Sequence, residues 1–203
     1  MRPPLEMLRE AVFNIIGQDL GGWRVVDLFA GSGIMGIEAL SRGARAALFV
    51  EKNRAATAVI TRNLEKTGFL DRAGIITGNA FTAARRIAGK GPIDAVFIDP
   101  PFAMMRDAKW RGRLSGLVAE LFDSGELAPD ALVIIRAPER AHLEVAQELV
   151  ILRERKYGHS RLFFIGKAEP EGHDEPSEGS GDEEAVEQPP DRGADLRGRR
   201  QGQ

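Results

Sequence analysis

The feature that most limits how this chain can fold is a glycine-rich turn between a strand pattern and a helix pattern. Residues 24–29 form an apolar, strand-like run, and apolar residues recur at helical spacing from Ile34 onward. Gly31, Gly33 and Gly36 match the spacing G-x-G-x-x-G, which is typical of strand–turn–helix units that hold a nucleoside-containing cofactor. The turn therefore predicts an α/β domain.

The same alternation of strands and helices continues along the chain. Strand patterns lie near 24–29, 46–50, 74–77, 93–98, 131–135, 149–156 and 161–166. Helical patterns lie near 5–16, 33–42, 53–67, 80–88, 110–123 and 139–147. This order predicts a mostly parallel sheet with helices on both faces, and a ligand site beyond the carboxyl ends of the strands.

Polar residues at the strand ends indicate which cofactor is bound. Glu51 stands twenty residues after Gly31, where an acid can accept hydrogen bonds from both hydroxyls of a ribose. Asp27 would repel a pyrophosphate and attract a cation, which favours S-adenosylmethionine over a nicotinamide cofactor. Asn79 follows the third strand, where its amide can reach the adenine edge. The predicted cofactor-binding residues are Asp27, Phe29, Ala30, Gly31, Ser32, Gly33, Glu51, Lys52, Asn79, Ala80 and Asp99.

A second motif follows the strand at 93–98. Asp99, Pro100, Pro101 and Phe102 combine a carboxylate, two residues without backbone donors, and an aromatic ring. The acceptors suit an exocyclic amine and the ring suits stacking on a planar base. We therefore predict these four as the catalytic residues of a pocket for a flat amine. The alternative is a strand followed by an ordinary proline-rich turn.

Several of these segments resemble the bacterial small-subunit (16S) ribosomal RNA guanine-N2 methyltransferases. The likeness covers about residues 2–166 and includes residues 2–4, 8–17, 38–44 and 99–102 besides the glycine turn. It implies the Rossmann-like fold of the class I S-adenosylmethionine-dependent methyltransferases, with a seven-stranded sheet whose last strand is antiparallel. It also implies methyl transfer to the N2 amine of a guanine in 16S rRNA.

The sequence departs from that family in two ways. The family usually has a basic N-terminal β-hairpin before the segment at which this sequence starts, so either the start codon lies upstream or this member binds RNA differently. The family also usually carries Asp where Asn79 stands. Asn can still accept through its carbonyl, and it can also donate. The contact with adenine is therefore expected to survive with a different polarity.

Charge divides the chain into two parts. The 203 residues carry 28 basic and 30 acidic residues, but residues 168–203 hold eleven acids and only four arginines. Residues 1–167 therefore carry a net charge of +5, which suits an RNA partner. We predict a methyltransferase domain at 1–167 and a disordered acidic tail at 168–203. The tail is expected to aid solubility, with competition against RNA as the alternative.

A basic cluster follows the second motif. Arg106, Lys109, Arg111 and Arg113 flank Trp110, and we predict that the four basic residues bind the substrate RNA. The alternative is a solvated loop with Trp110 packed on the core. Cysteine is absent, and the three histidines have no ligand spacing, so no metal site is predicted.

Three functions are compatible with these residues. The first is guanine-N2 methylation of ribosomal RNA or of a small-subunit assembly particle. The second is adenine-N6 methylation of DNA or RNA, although the chain leaves no room for the target-reading domain that such DNA enzymes commonly add. The third is a non-catalytic RNA-binding assembly factor, which the intact motif at 99–102 disfavours. With no apolar segment of membrane-spanning length and no signal pattern, we expect a cytoplasmic protein that makes no membrane contact. The family suggests a monomer.

Overall fold

The computed structural model describes residues 5–168. The predicted tail beyond residue 168 and the family-like residues 2–4 lie outside the described residues, and the boundary at 167 remains a prediction. The helices within the described part are α1 (Leu5–Ile16), α2 (Ile34–Ser41), α3 (Arg54–Thr67), α4 (Ala83–Arg86), α5 (Phe102–Arg106) and α6 (Ala108–Asp123). The strands are β1 (Arg24–Leu28), β2 (Ala46–Glu51), β3 (Ala73–Thr77), β4 (Ile93–Ile98), β5 (Leu127–Pro138), β6 (Leu149–Tyr157) and β7 (Ser160–Lys167).

One seven-stranded sheet organises the molecule, in the order β3-β2-β1-β4-β5-β7-β6. The strands β1 to β5 run parallel to one another, and β7 pairs antiparallel with both β5 and β6. The chain order reverses between β1 and β4, which is where open α/β sheets bind ligands. The predicted mostly parallel sheet with an antiparallel last strand is confirmed.

Successive residues of the central strands pack on opposite faces of the sheet, so both faces are covered. Val26 on β1 belongs to a buried cluster that includes Leu117 of α6. Val25, its neighbour, belongs to a second cluster that includes Phe13 of α1 and Phe97 of β4, whose ring centroids are 5.8 Å apart. Because both faces of the sheet are covered, β4 is buried along its whole length. Asp99 follows directly after the carboxyl end of this buried strand.

Two predicted helices differ from the structure, and one helix was not predicted. The predicted helix at 139–147 is wrong: the segment is irregular, because β5 continues to Pro138 and the Glu139 N–H donates to the His159 carbonyl over 2.9 Å. Leu143 and Val145 pack on the core from this irregular chain, and a nine-residue helix has too little stability of its own to compete. The helix predicted at 80–88 is a 3-10 turn followed by α4, and an unpredicted helix, α5, precedes α6. Among the described residues, the helices are too short or too polar to cross a bilayer.

Candidate active site

The loop that joins β1 to α2 has an unusual backbone. Phe29, Gly31 and Gly33 all have positive φ, at 58°, 57° and 80°. This conformation is ordinary for glycine, but it costs a bulky residue about 1–3 kcal/mol. A Cβ on Gly31 would meet only the Phe29 carbonyl within 4 Å, at 3.9 Å. The loop therefore presents its backbone to open space at Gly31, where a ligand can approach closely.

The third glycine of the motif serves packing. A Cβ on Gly36 would overlap the Phe49 ring, lying 2.7 Å from its Cζ atom. Phe49 belongs to β2, so the missing side chain lets α2 lie close against the sheet. Close packing here holds the glycine loop at the carboxyl end of β1.

Asp27 lies beneath this loop and is almost completely buried. Its carboxyl accepts a 3.0 Å hydrogen bond from the Gly36 N–H. Burial raises the pKa of Asp27 to about 8; the negative charges of Asp99 and Glu51 add to the rise, and the Gly36 hydrogen bond opposes it. The cofactor prediction assumes a negative charge on Asp27, whereas a pKa of about 8 favours the protonated carboxyl at pH 7.

Glu51, at the end of β2, connects two loops. Its Oε2 atom accepts from the Gly31 N–H over 3.0 Å, and its Oε1 atom accepts from the Asn53 N–H over 2.9 Å. A carboxylate oxygen can accept more than one hydrogen bond, so Glu51 retains capacity for ribose hydroxyls. Lys52 lies beside it on the wall of the same cavity.

Asn79 ends the neighbouring strand and shapes the next turn. Its Oδ1 atom accepts from the Phe81 N–H over 3.1 Å, which caps the short 3-10 turn that begins at Ala80. The amide oxygen is therefore used within the turn, and the NH₂ group is the part of this side chain that can donate to an adenine nitrogen.

An aromatic wall stands beside Asn79. Phe81 contacts Phe29 edge to face and Trp110 at a tilt, each with ring centroids 5.5 Å apart. The guanidinium of Arg113 lies 4.5 Å from the Phe81 ring centre and 4.7 Å from that of Trp110. The faces and edges of these three rings give an adenine ring aromatic surface to pack against.

The second motif forms the opposite side of the site. The Arg136 Nε–H donates to Asp99 Oδ1 over 2.6 Å, and the Arg136 guanidinium lies 4.9 Å from the Phe102 ring centre. Burial raises the pKa of Asp99, and the ion pair with Arg136 opposes that rise. The Pro101 carbonyl accepts from the Met104 N–H over 2.9 Å, which starts α5.

Two adjoining cavities, of about 240 and 460 Å³, bring these residues together. Asp27, Ala30 and Ser32 line the first cavity, and Glu51, Asn79 and Pro100 line the second. Both cavities are lined by Phe29, Gly31, Asp99 and Arg136. Most of the predicted glycine turn, the strand-end acids and the first three residues of the second motif therefore share one groove, whereas Gly33 and Phe102 line neither cavity.

The basic cluster is divided in its contacts. Arg111 donates from Nη1 to the carbonyls of Met105 and Arg106, over 3.1 and 3.0 Å, and so holds the end of α5. Arg113 belongs to the aromatic wall, while Arg106 and Lys109 are exposed beside the site. RNA binding by these four residues stays a prediction.

Sequence reasoning missed two residues of the groove. Arg136 was absent from the predicted site, although a cation directly after the strand pattern at 131–135 was an available signal. Phe81 was also missed, because nothing local indicates that its ring meets Phe29 and Trp110.

Comparisons with known proteins agree with this geometry. A family model described as "Conserved hypothetical protein 95" matches residues 1–166. The chain is 31% identical over 171 residues to YlbH of Bacillus subtilis (strain 168), provisionally named an rRNA methyltransferase, covering 82% of this chain and 88% of that protein. It is 36% identical over 140 residues to Ribosomal RNA small subunit methyltransferase D of Escherichia coli (strain K12), covering 68% and 64%. A solved structure of a conserved hypothetical protein from Streptococcus pyogenes matches with TM-score 0.67 and 35% identity, covering 78% and 95%.

The strand order and the groove at the switch point define a class I, S-adenosylmethionine-dependent methyltransferase. The chain belongs to the Conserved hypothetical protein 95 family, the family of the bacterial ribosomal RNA small subunit methyltransferases D. The predicted fold class and the predicted family resemblance are both confirmed.

Proposed function

We propose that this chain methylates the exocyclic N2 amine of a guanine in small-subunit ribosomal RNA. One observation carries the proposal: Asp99 lines both cavities, so an acceptor for an amine stands where the two cavities meet. The relative in Escherichia coli is named for action on the small-subunit RNA. The choice of guanine and its N2 atom follows the family resemblance, and Asp99 is an acceptor suited to such an amine.

The residues present fit S-adenosylmethionine. Gly31 gives the ligand access to the loop backbone, and Glu51 has acceptor capacity for a ribose. The aromatic wall and the Asn79 amide suit the adenine ring and its edge. Asp27 lies below the loop and lines the first cavity, where a cationic group of the ligand would favour its ionised form.

The reaction needs little chemistry from the protein besides placement. When bound, S-adenosylmethionine supplies an electrophilic methyl group. Asp99 accepts a hydrogen bond from one N–H of the amine, and the Pro100 carbonyl accepts one from the other. These two hydrogen bonds favour a pyramidal nitrogen, whose lone pair is no longer delocalised into the ring. Phe102 holds the base by stacking. Positioning of this kind can supply about 7–11 kcal/mol of the barrier reduction.

Proton balance is also assigned to Asp99. As the N–C bond forms and the C–S bond breaks, the amine nitrogen must lose one proton. Burial raises the pKa of Asp99, while the ion pair with Arg136 opposes that rise, so the Asp99 carboxylate is the group placed to accept that proton and pass it to water.

The test uses the full chain with radiolabelled S-adenosylmethionine and two substrates, naked 16S rRNA and small-subunit particles. After digestion to nucleosides, we expect the label in N2-methylguanosine. Label in N6-methyladenosine would instead identify an adenine methyltransferase. Absence of label despite measurable cofactor binding would indicate a non-catalytic assembly factor. Either result overturns the proposal.

A pair of variants connects the activity to Asp99. Asp99→Asn should lower kcat by about 10²-fold or more, because general-base and acceptor roles are worth roughly 10²–10⁴. Its Kd for the cofactor should change only a few-fold. Asp123→Asn is the matched control, since Asp123 is exposed at the far end of α6.

A further inference from the structure

The base slot is the space between Asp99 and Phe102 in which the proposed mechanism places the base, and Arg136 occupies it. Arg136 extends from β5, the strand next to β4, and donates from Nε to Asp99 Oδ1 over 2.6 Å. Its guanidinium also lies 4.9 Å from the Phe102 ring centre. The side chain is only 24% exposed and lines both cavities. The same two residues that would hold the base therefore already hold a planar group.

The guanidinium and the edge of guanine have the same hydrogen-bonding pattern. A guanidinium is flat and presents only donors. The N1–H and N2–H₂ groups of guanine likewise present donors side by side, whereas adenine places the acceptor N1 next to its amine. We propose that Arg136 is an internal stand-in for guanine: it fills the base slot in the free protein, and a base with a donor edge must displace it in order to bind.

This inference rests on the proposed function for the identity of the base, but the occupied slot follows from the contacts alone. When Arg136 leaves, the part-buried Asp99 carboxylate loses its partner, and an unpaired carboxylate in such a place is strongly unfavourable. Guanine restores two donors at that carboxylate. Adenine instead turns the lone pair of its N1 atom toward the Asp99 carboxylate. The carboxylate then lacks a donor, and this cost disfavours adenine relative to guanine.

The first test measures binding and needs no methyl transfer. In Arg136→Ala, ethylguanidinium should bind with a millimolar Kd and at least about tenfold more tightly than to the wild type, since charge-assisted and cation–π contacts become available to it. Ligand-observed NMR gives this Kd. Ethylammonium, which is charged but not planar, should gain far less, and the double variant Asp99→Asn/Arg136→Ala should lose the gain. Arg155→Ala, on the exposed edge of β6, is the matched control and should bind as the wild type does.

The second test uses turnover. In Arg136→Ala, ethylguanidinium should inhibit competitively with RNA, while the wild type should be insensitive to it. The KM for RNA should fall several-fold, because the base no longer has to displace Arg136. The preference for guanine over adenine should persist, because it depends on the contacts of the base with Asp99.

Two outcomes would overturn the inference. One is equal ethylguanidinium binding by wild type and variant; the other is no binding by an Arg136→Ala protein that circular dichroism shows to be folded, with Arg136→Ser as a second variant if alanine does not fold. RNA methylation that persists in either case would leave the proposed function standing. Conversely, the expected gain in ethylguanidinium binding by Arg136→Ala, together with no methylated guanine, would support the inference that Arg136 fills the slot and would reject the proposed reaction.

Discussion

The Gly36 N–H donates a 3.0 Å hydrogen bond to the Asp27 carboxyl, joining the third glycine of the loop to a carboxyl that is 2% exposed. The hydrogen bond favours the ionised carboxylate, but burial outweighs it and raises the pKa of Asp27 to about 8. The pKa of this acid therefore lies close to physiological pH, so its protonation changes within that range. Its protonation has consequences for ligand affinity and for stability.

Cofactor affinity should rise with pH up to about 8 and then level off. A cationic ligand beside Asp27 favours the ionised form, so binding below pH 8 must release a proton. The Kd should fall by up to about tenfold for each pH unit, since one proton is linked to binding. Isothermal calorimetry in buffers of different ionisation enthalpy measures the released proton directly. The Asp27→Asn variant removes the linkage and leaves only the ligand's own titration, and an identical pH slope in both proteins would contradict the prediction.

The free energy of unfolding should respond to the same group with the opposite sign. The pKa of Asp27 is raised from 3.8 to about 8 on folding, so between these values the folded state binds the additional proton. Stability from this group is complete below about pH 4, is lost as pH rises through 8, and then stays constant. The slope is at most about 1.4 kcal/mol per pH unit. Urea unfolding from pH 5 to 9 measures it, and subtraction of the Asp27→Asn curve isolates the contribution. A difference curve without slope would show that the pKa is not raised.

The parts of the fold that sequence reasoning predicted are those with local causes. β4 lies at 93–98 as predicted because six consecutive buried positions leave a short strand as the natural choice. α1 matches its predicted bounds because apolar residues at helical spacing face one side. The glycine loop and the strand-end acids follow from the same periodicity, since parallel strands place their carboxyl ends on one rim.

The parts that were missed depend on contacts between distant residues. Residues 139–147 have helical spacing, but pairing between β5 and β7 through Pro138 and Ser160 decides the path of the chain there. The pairing of Arg136 with Asp99 joins residues 37 positions apart. The protonation of Asp27 depends on how much protein surrounds it. In each case tertiary packing determines the outcome.

Alanine substitutions at two helical glycines should have opposite effects. Gly36→Ala should destabilise the protein by about 1–3 kcal/mol, because the new Cβ would overlap Phe49 in a packed interface. Gly116→Ala should stabilise it by about 0.5–1 kcal/mol, because Gly116 is exposed in α6 and nothing lies within 4 Å of its Cβ position. Thermal and urea unfolding measure both. Equal effects at the two positions would show that Gly36 is not needed for close packing.

Cofactor binding should quench the fluorescence of Trp110. The chain has two tryptophans, and Trp110 lines the second cavity within the aromatic wall, whereas Trp23 packs against the core cluster on the α1 side of the sheet. An adenine seated on the Phe81 side of the groove would lie within stacking distance of that wall. Titration with S-adenosylhomocysteine should therefore give a saturable signal in the wild type and in Trp23→Phe. Trp110→Phe should lose the signal while calorimetry still shows a Kd within a few-fold. A quench that follows Trp23 instead would place the adenine elsewhere and remove the argument for the second cavity as its site.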